Sequence, residues 1–135
     1  MARARILLAD DHAEFLGLAK RLIESEFDVL KTLADGRAVV EEIAALAPDL
    51  VVLDISMPGL SGIEIAERLQ AAGRHERIVF LTVHEDRDYV RSALAAGGLG
   101  YVVKDRITSD LIPALRAALC GQQFVSESLA GSSEF

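Results

Sequence analysis

At 135 residues and 51% hydrophobic content, the chain has the length of one domain and too much apolar sequence to be mainly disordered. Its formal net charge of −7 argues against gripping DNA or an anionic membrane unaided, and suits a divalent cation. The apolar stretches are too short to span a bilayer, Met1-Ala2-Arg3-Ala4-Arg5 lacks a cleavage-type continuation, and the single cysteine, Cys120, cannot close an internal disulfide, so a soluble cytoplasmic protein is expected.

Strand-like and helix-like segments alternate along the chain. Arg5 to Asp10 reads as a first strand, and Ala13 to Glu26 as a helix with Phe15, Leu18, Ala19, Leu22 and Ile23 at three-to-four spacing. A second strand over Val29 to Ala34 is shorter in its apolar run and more mixed, as an edge strand would be; a helix over Gly36 to Leu46 stops before Pro48. The third strand, Asp49 to Asp54, leads to a helix over Ser61 to Ala72 that stops at Gly73. Arg77 to Thr82 is the fourth strand, followed by a helix from about Asp86 to Ala96 ending at Gly97-Gly98. Gly100 to Lys104 is the fifth, and the last helix follows Thr108-Ser109-Asp110 as its cap, with Pro113 near the first turn. Phe124 and Val125 can still pack, whereas Ser126 to Phe135 reads as a tail. The expected domain therefore covers residues 4–121, with 122–135 a C-terminal extension.

Four of the five strands are apolar at both alternating sets of positions, which predicts a parallel sheet covered on both faces. Five strand-helix units with right-handed crossovers give a doubly wound α/β fold. In such sheets ligands bind outside the carboxyl ends of the strands, where the strand order reverses; with the order 2-1-3-4-5 that point lies between the first and third strands. Asp10-Asp11 close the first strand and Asp54 the third, while Thr82 closes the fourth and Lys104 the fifth. Taken singly each has an ordinary reading: a helix cap, a turn residue, a β-branched strand residue, a surface charge. Independent surface residues have no reason to fall at the same end of four strands, and the conjunction reads as a site.

Three carboxylates this close would repel one another unless they share a cation, and an all-oxygen donor set describes Mg2+. A hydroxyl and an ammonium facing that cation make a cradle for a phosphoryl group, with Asp54 placed to attack phosphorus. His12, His75 and His84 lack the spacing of a transition-metal site and read as solvated histidines, His84 as a loop residue facing solvent.

Asp10-Asp11-His12, Asp54 with Met57-Pro58-Gly59 and Gly62, Thr82, and Tyr101-Val102-Val103-Lys104 together resemble the receiver domain of two-component response regulators, over nearly the whole chain. Lys104-Asp105 and the stretch ending Ala117-Ala118-Leu119-Cys120-Gly121 look most like the NarL/FixJ (LuxR-type) branch. The resemblance implies a flavodoxin-like five-stranded sheet with five helices, and phosphoryl transfer from a sensor histidine kinase to Asp54 with Thr82 and Lys104 assisting. It also implies Mg2+ held by Asp10, largely through water, and by Asp11, Asp54 and the Ser56 backbone carbonyl. Ser56, Val83 and His84 stand where this family tunes its rates. Tyr101 resembles the family's aromatic switch, acting with Thr82, though packing at a strand start is an equal reading. A homodimer is expected through the fourth helix, fifth strand and fifth helix, or through the first and fifth helices. DNA binding would belong to a C-terminal output domain absent from this chain. Two other readings stay open: an interaction module that no longer uses phosphate, and an aspartate-nucleophile phosphohydrolase, against which stands Ser56 where those enzymes carry a second aspartate.

Overall fold

The computed structural model describes residues 3–126. Strands β1 (Arg5–Ala9), β2 (Asp28–Leu33), β3 (Leu50–Leu53), β4 (Arg77–Thr82), β5 (Gly98–Val103) and β6 (Phe124–Val125) form one sheet in the order β2-β1-β3-β4-β5-β6, every pairing parallel. Helices α1 (Ala13–Glu24), α2 (Val39–Leu46), α3 (Gly62–Ala71), α4 (Arg87–Ala95) and α5 (Ile107–Leu119) connect the strands, with short 3₁₀ turns at Gly36–Ala38 and Lys104–Arg106.

Alternation along each strand divides the core into two layers. Ile6, Leu8, Leu50, Val52, Val79, Leu81 and Val102 pack against Ala19 and Ile23 of α1 and Leu111, Ala114, Leu115 and Ala118 of α5. Leu7, Ala9, Val51, Leu53, Phe80, Tyr101 and Val103 face Val39 and Ile43 of α2, Ile65 and Leu69 of α3, and Val90 and Ala93 of α4. Because both sets are apolar, the central strands are hydrophobic throughout, and β2 sits at the edge as its mixed pattern requires.

The structure departs from the sequence reading at the C-terminal side. The sheet has a sixth strand, with Phe124 paired to Gly100 and Val125 to Tyr101. Ser126, read as the start of a tail, is fully buried: its N–H donates to the Tyr101 carbonyl (2.9 Å), and its Oγ accepts from the Val103 N–H (3.1 Å). Residues 127–135, with the Gly131-Ser132-Ser133-Glu134-Phe135 end, lie outside the described residues. Thr108-Ser109-Asp110 does not cap α5, which already begins at Ile107. Asp110 instead accepts from Arg106 Nε (3.0 Å) and Ser109 Oγ (2.9 Å) within the first turn. Pro113 lies one turn deeper than expected, inside the helix. Gly98 opens β5 rather than ending α4, paired with Ile78, and a Cβ there would stand 2.6 Å from the Phe80 ring.

Candidate functional site

The strand register carries the polar residues to one end of the sheet. Beyond β1 the Asp10 N–H donates to the Leu33 carbonyl, and beyond β3 the Asp54 N–H donates to the Ala9 carbonyl, both at 2.9 Å, so the two carboxylates leave neighbouring strands at the same level. Thr82, the last residue of β4, pairs with Val103, the residue before Lys104. The turn after Asp54 is held tightly. Gly59 has φ +84°, a conformation that favours glycine. The Gly62 N–H donates to the Ile55 carbonyl (2.8 Å), and a Cβ on Gly62 would stand 2.3 Å from the Asp54 carbonyl oxygen. Ser61 then starts α3 with a reciprocal capping box to Glu64.

At the centre lies a buried charge cluster. Lys104 Nζ is 2.8 Å from Asp10 Oδ2 and 3.1 Å from Asp54 Oδ2, with side-chain exposures of 1%, 1% and 5% for the three residues. Asp10 Oδ1 accepts from the His12 N–H (2.8 Å). Burial holds the Asp10 carboxyl above the usual carboxylate range; Lys104 and the His12 N–H oppose that rise, and the nearby charge of Asp54 adds to it. Asp54 Oδ1 is buried with no hydrogen-bond partner in the protein. A buried carboxylate oxygen without a donor is costly, and a cation removes that cost.

Asp10, Asp11, His12 and Asp54 can each bring one ligand atom to within 4.8 Å of the others. Asp11 and His12 are exposed, Asp10 and Asp54 buried. Three carboxylates with room for water fit a hard divalent ion, and the open Oδ1 of Asp54 is where such a set is incomplete. The imidazole of His12 is the poorest match among the four.

Around this centre the structure places the remaining expected residues and adds others. His84, read as a loop residue facing solvent, does lie in the β4–α4 loop and is half-exposed, but it also has its Nε2 2.7 Å from Ser56 Oγ and its ring stacked on Tyr89 with centroids 4.2 Å apart. Its N–H approaches Thr82 Oγ1 only at 3.4 Å, the far limit for a hydrogen bond. Val83 is 56% exposed. Tyr101 is fully buried, donates its hydroxyl to the His84 carbonyl (2.7 Å), and lies 6.5 Å from the Phe80 ring. Its burial pushes the phenol well above its usual range, with Asp86 and Tyr89 adding to the effect.

Two residues here were not singled out from sequence. Tyr89 carries the His84 ring, and Phe15 presents its ring 4.6 Å from Lys104 Nζ. Phe15 was read as part of the apolar stripe of α1; the signal that could have separated it is its place in the helix's first turn, directly after the site aspartates.

The profile of the response regulator receiver domain family matches residues 6–116. The nitrate/nitrite response regulator protein NarL of Escherichia coli K12 is 37% identical over 128 residues, covering 93% of this chain and 59% of that protein. This chain thus spans about three fifths of that relative. A LuxR-family response regulator from Aurantimonas sp. SI85-9A1 is similar in structure, with TM-score 0.89, 33% identity and coverage of 96% of this chain and 94% of that one. The isolated receiver domain of RcsB from Salmonella enterica serovar Typhimurium, solved with the phosphomimetic BeF3−, gives TM-score 0.88 at 25% identity, over 96% of this chain and 97% of that one.

Proposed function

The chain belongs to the response regulator receiver domain family of two-component signalling, and from that premise we propose that Asp54 accepts a phosphoryl group from a sensor histidine kinase in a Mg2+-dependent reaction. The observation that carries this is the buried Asp10–Lys104–Asp54 cluster, in which Asp10 Oδ2 and Asp54 Oδ2 both face the Lys104 ammonium while Asp54 Oδ1 is buried without a hydrogen-bond partner. Asp54 is the nucleophile: one of its oxygens bonds to phosphorus as the donor's bond to phosphorus breaks, and the departing donor keeps the electron pair and takes up a proton. Lys104, already against Asp54 Oδ2, supplies a fixed positive charge to the phosphoryl oxygens as charge moves onto them. Thr82, buried at the end of β4, offers a hydroxyl for a phosphoryl oxygen. Mg2+, held by Asp10 through water and by Asp11, Asp54 and the Ser56 carbonyl, would neutralise the remaining negative charge when bound.

The linked Ser56–His84–Tyr89 group and exposed Val83 stand beside this centre and are proposed to set the lifetime of the aspartyl phosphate. Tyr101 is proposed as the switch, and the inward, His84-bound ring is the position from which it would act. Because the chain spans 59% of the E. coli relative, DNA binding through a C-terminal output domain, and dimerisation through α4-β5-α5 or α1-α5, are proposed for the longer protein in the cytoplasm. No helix among the described residues is long and apolar enough to cross a membrane.

One experiment tests the reading. The chain and Asp54→Asn are incubated with phosphoramidate and MgCl2, then followed by intact mass and donor turnover. A stoichiometric phosphoryl adduct lost in the variant supports it. Fast multiple turnover would make the chain a phosphohydrolase, and no adduct would leave a protein-interaction module.

A further inference from the structure

Lys104 is a buried ammonium on a flexible four-carbon stem, between two carboxylates it does not hold equally, Asp10 at 2.8 Å and Asp54 at 3.1 Å. Nothing in that pair keeps the ammonium from settling fully on Asp10. The third side is closed by Phe15, a half-buried residue of α1 whose ring centroid lies 4.6 Å from Lys104 Nζ. The negative face of an aromatic ring attracts a cation, and more strongly where water is excluded. His12, the residue before α1, contacts the same ring edge-on at 6.1 Å between centroids, which steadies its orientation.

From this geometry we infer that Phe15 is a positioning residue for Lys104, its ring face holding the ammonium between Asp10 and Asp54 so that it can serve the phosphoryl group. The attraction of a ring face has little preference for how the N–H bonds point within it. The ammonium can therefore turn an N–H from a carboxylate to a phosphoryl oxygen without losing that support, whereas a third carboxylate or a carbonyl would have to release one. An aliphatic side chain of similar volume fills the space and supplies none of the attraction. The inference rests on the phosphoacceptor reading above, but the contact itself can be tested apart from it.

The experiment joins an NMR measurement, made without phosphodonor, to phosphorylation kinetics. In the unphosphorylated protein the Lys104 side-chain methylene and ammonium protons are expected upfield of their ordinary positions through the ring current of Phe15, and Phe15→Leu should remove that shift. With phosphoramidate and Mg2+, Phe15→Leu should slow adduct formation by about five- to thirtyfold, the range between an exposed and a desolvated cation–π contact. Phe15→Tyr, which keeps the ring, should restore the rate, and Phe15→Leu should have no further effect in a Lys104→Met background. Wild-type rates for Phe15→Leu, equal slowing with and without Lys104, or absence of the ring-current shift would each overturn the inference. A wild-type chain that takes no phosphoryl group would instead overturn the proposed function, whatever the NMR shows, and a positioning role with no reaction to serve falls with it.

Discussion

Replacing Ser126 by alanine should cost this domain more stability than most single-atom deletions. The Ser126 hydroxyl is fully buried, accepts from the Val103 N–H at 3.1 Å, and hydrogen-bonds Asp110. The variant leaves the Val103 N–H buried without a partner, about 1–3 kcal/mol, and takes one donor from a carboxylate, about 1 kcal/mol more because Arg106 and Ser109 still donate to Asp110. Together these give about 2–4 kcal/mol, or a Tm lower by roughly 10 °C for a domain of this size. An upper limit comes from letting β6 detach, which admits water to Val103 at the cost of exposing half-buried Phe124 and Val125. Urea unfolding measures the loss, and amide exchange at Val103 and Tyr101 shows which route the variant takes. A loss below about 0.5 kcal/mol with Val103 still protected from exchange would refute the reasoning, since no buried N–H would then have been orphaned.

Mg2+ should raise the Tm of the wild-type chain, by the equivalent of about 2.7 kcal/mol at one hundred times its Kd, with the effect lost in Asp11→Asn and Asp54→Asn; equal stabilisation of all three would dismiss the acidic cluster as the site. Two glycines should behave oppositely on substitution. Gly62→Ala drives a Cβ to 2.3 Å from the Asp54 carbonyl oxygen and should destabilise by about 1–3 kcal/mol while slowing phosphorylation, whereas Gly17→Ala in α1, with nothing within 4 Å, should stabilise by about 0.5–1 kcal/mol in urea titrations. Burial opposes it, but the hydrogen bonds from Ser126, Arg106 and Ser109 hold the Asp110 carboxyl below its usual value, so its contribution is present above the unfolded carboxylate range near pH 4 and is lost as pH falls through the folded value. Asp10 works in reverse: its raised carboxyl keeps a proton that the unfolded chain has already released, so metal-free stability falls as pH rises through that window, and Asp10→Asn should flatten the slope of Tm against pH. Val83→Ala should speed both adduct formation and hydrolysis by opening the approach to Asp54, and unchanged rates would show that exposed Val83 does not screen the site.

Asp10, Asp54, Thr82 and Lys104 were legible because a parallel sheet buried on both faces has one grammar: an apolar run, then the first residue that is not apolar. They come together because β1, β3, β4 and β5 lie side by side and run parallel, which brings their carboxyl ends to one edge of the sheet. The contacts of His84 were missed for a matching reason. Its partners, Ser56 Oγ and the Tyr89 ring, come from the loop after β3 and the first turn of α4, and no local pattern announces a contact set by how two loops and a helix start converge. The start of α5 misled because Thr-Ser-Asp is a strong capping sequence, yet the 3₁₀ turn at Lys104–Arg106 leads the chain into the helix earlier and leaves Asp110 free to receive Arg106 and Ser126.

β6 was invisible as a strand because two residues have no period, and its stability comes from what it pairs with rather than from its own sequence. That pairing gives β5 a division of labour by atom. The side chains of Tyr101 and Val103 fill the layer under α4, while their backbone groups bind Ser126: the Tyr101 carbonyl accepts the Ser126 N–H, and the Val103 N–H donates to Ser126 Oγ. Lys104 follows immediately, with its ammonium between Asp10 and Asp54. Four consecutive residues therefore join the buried charge cluster to the segment leaving the sheet. A shift of the Tyr101 backbone must stretch or break the bond to Ser126, so the β5 backbone at this point and the departing chain move together, whereas the ring can still turn about its own side-chain bonds.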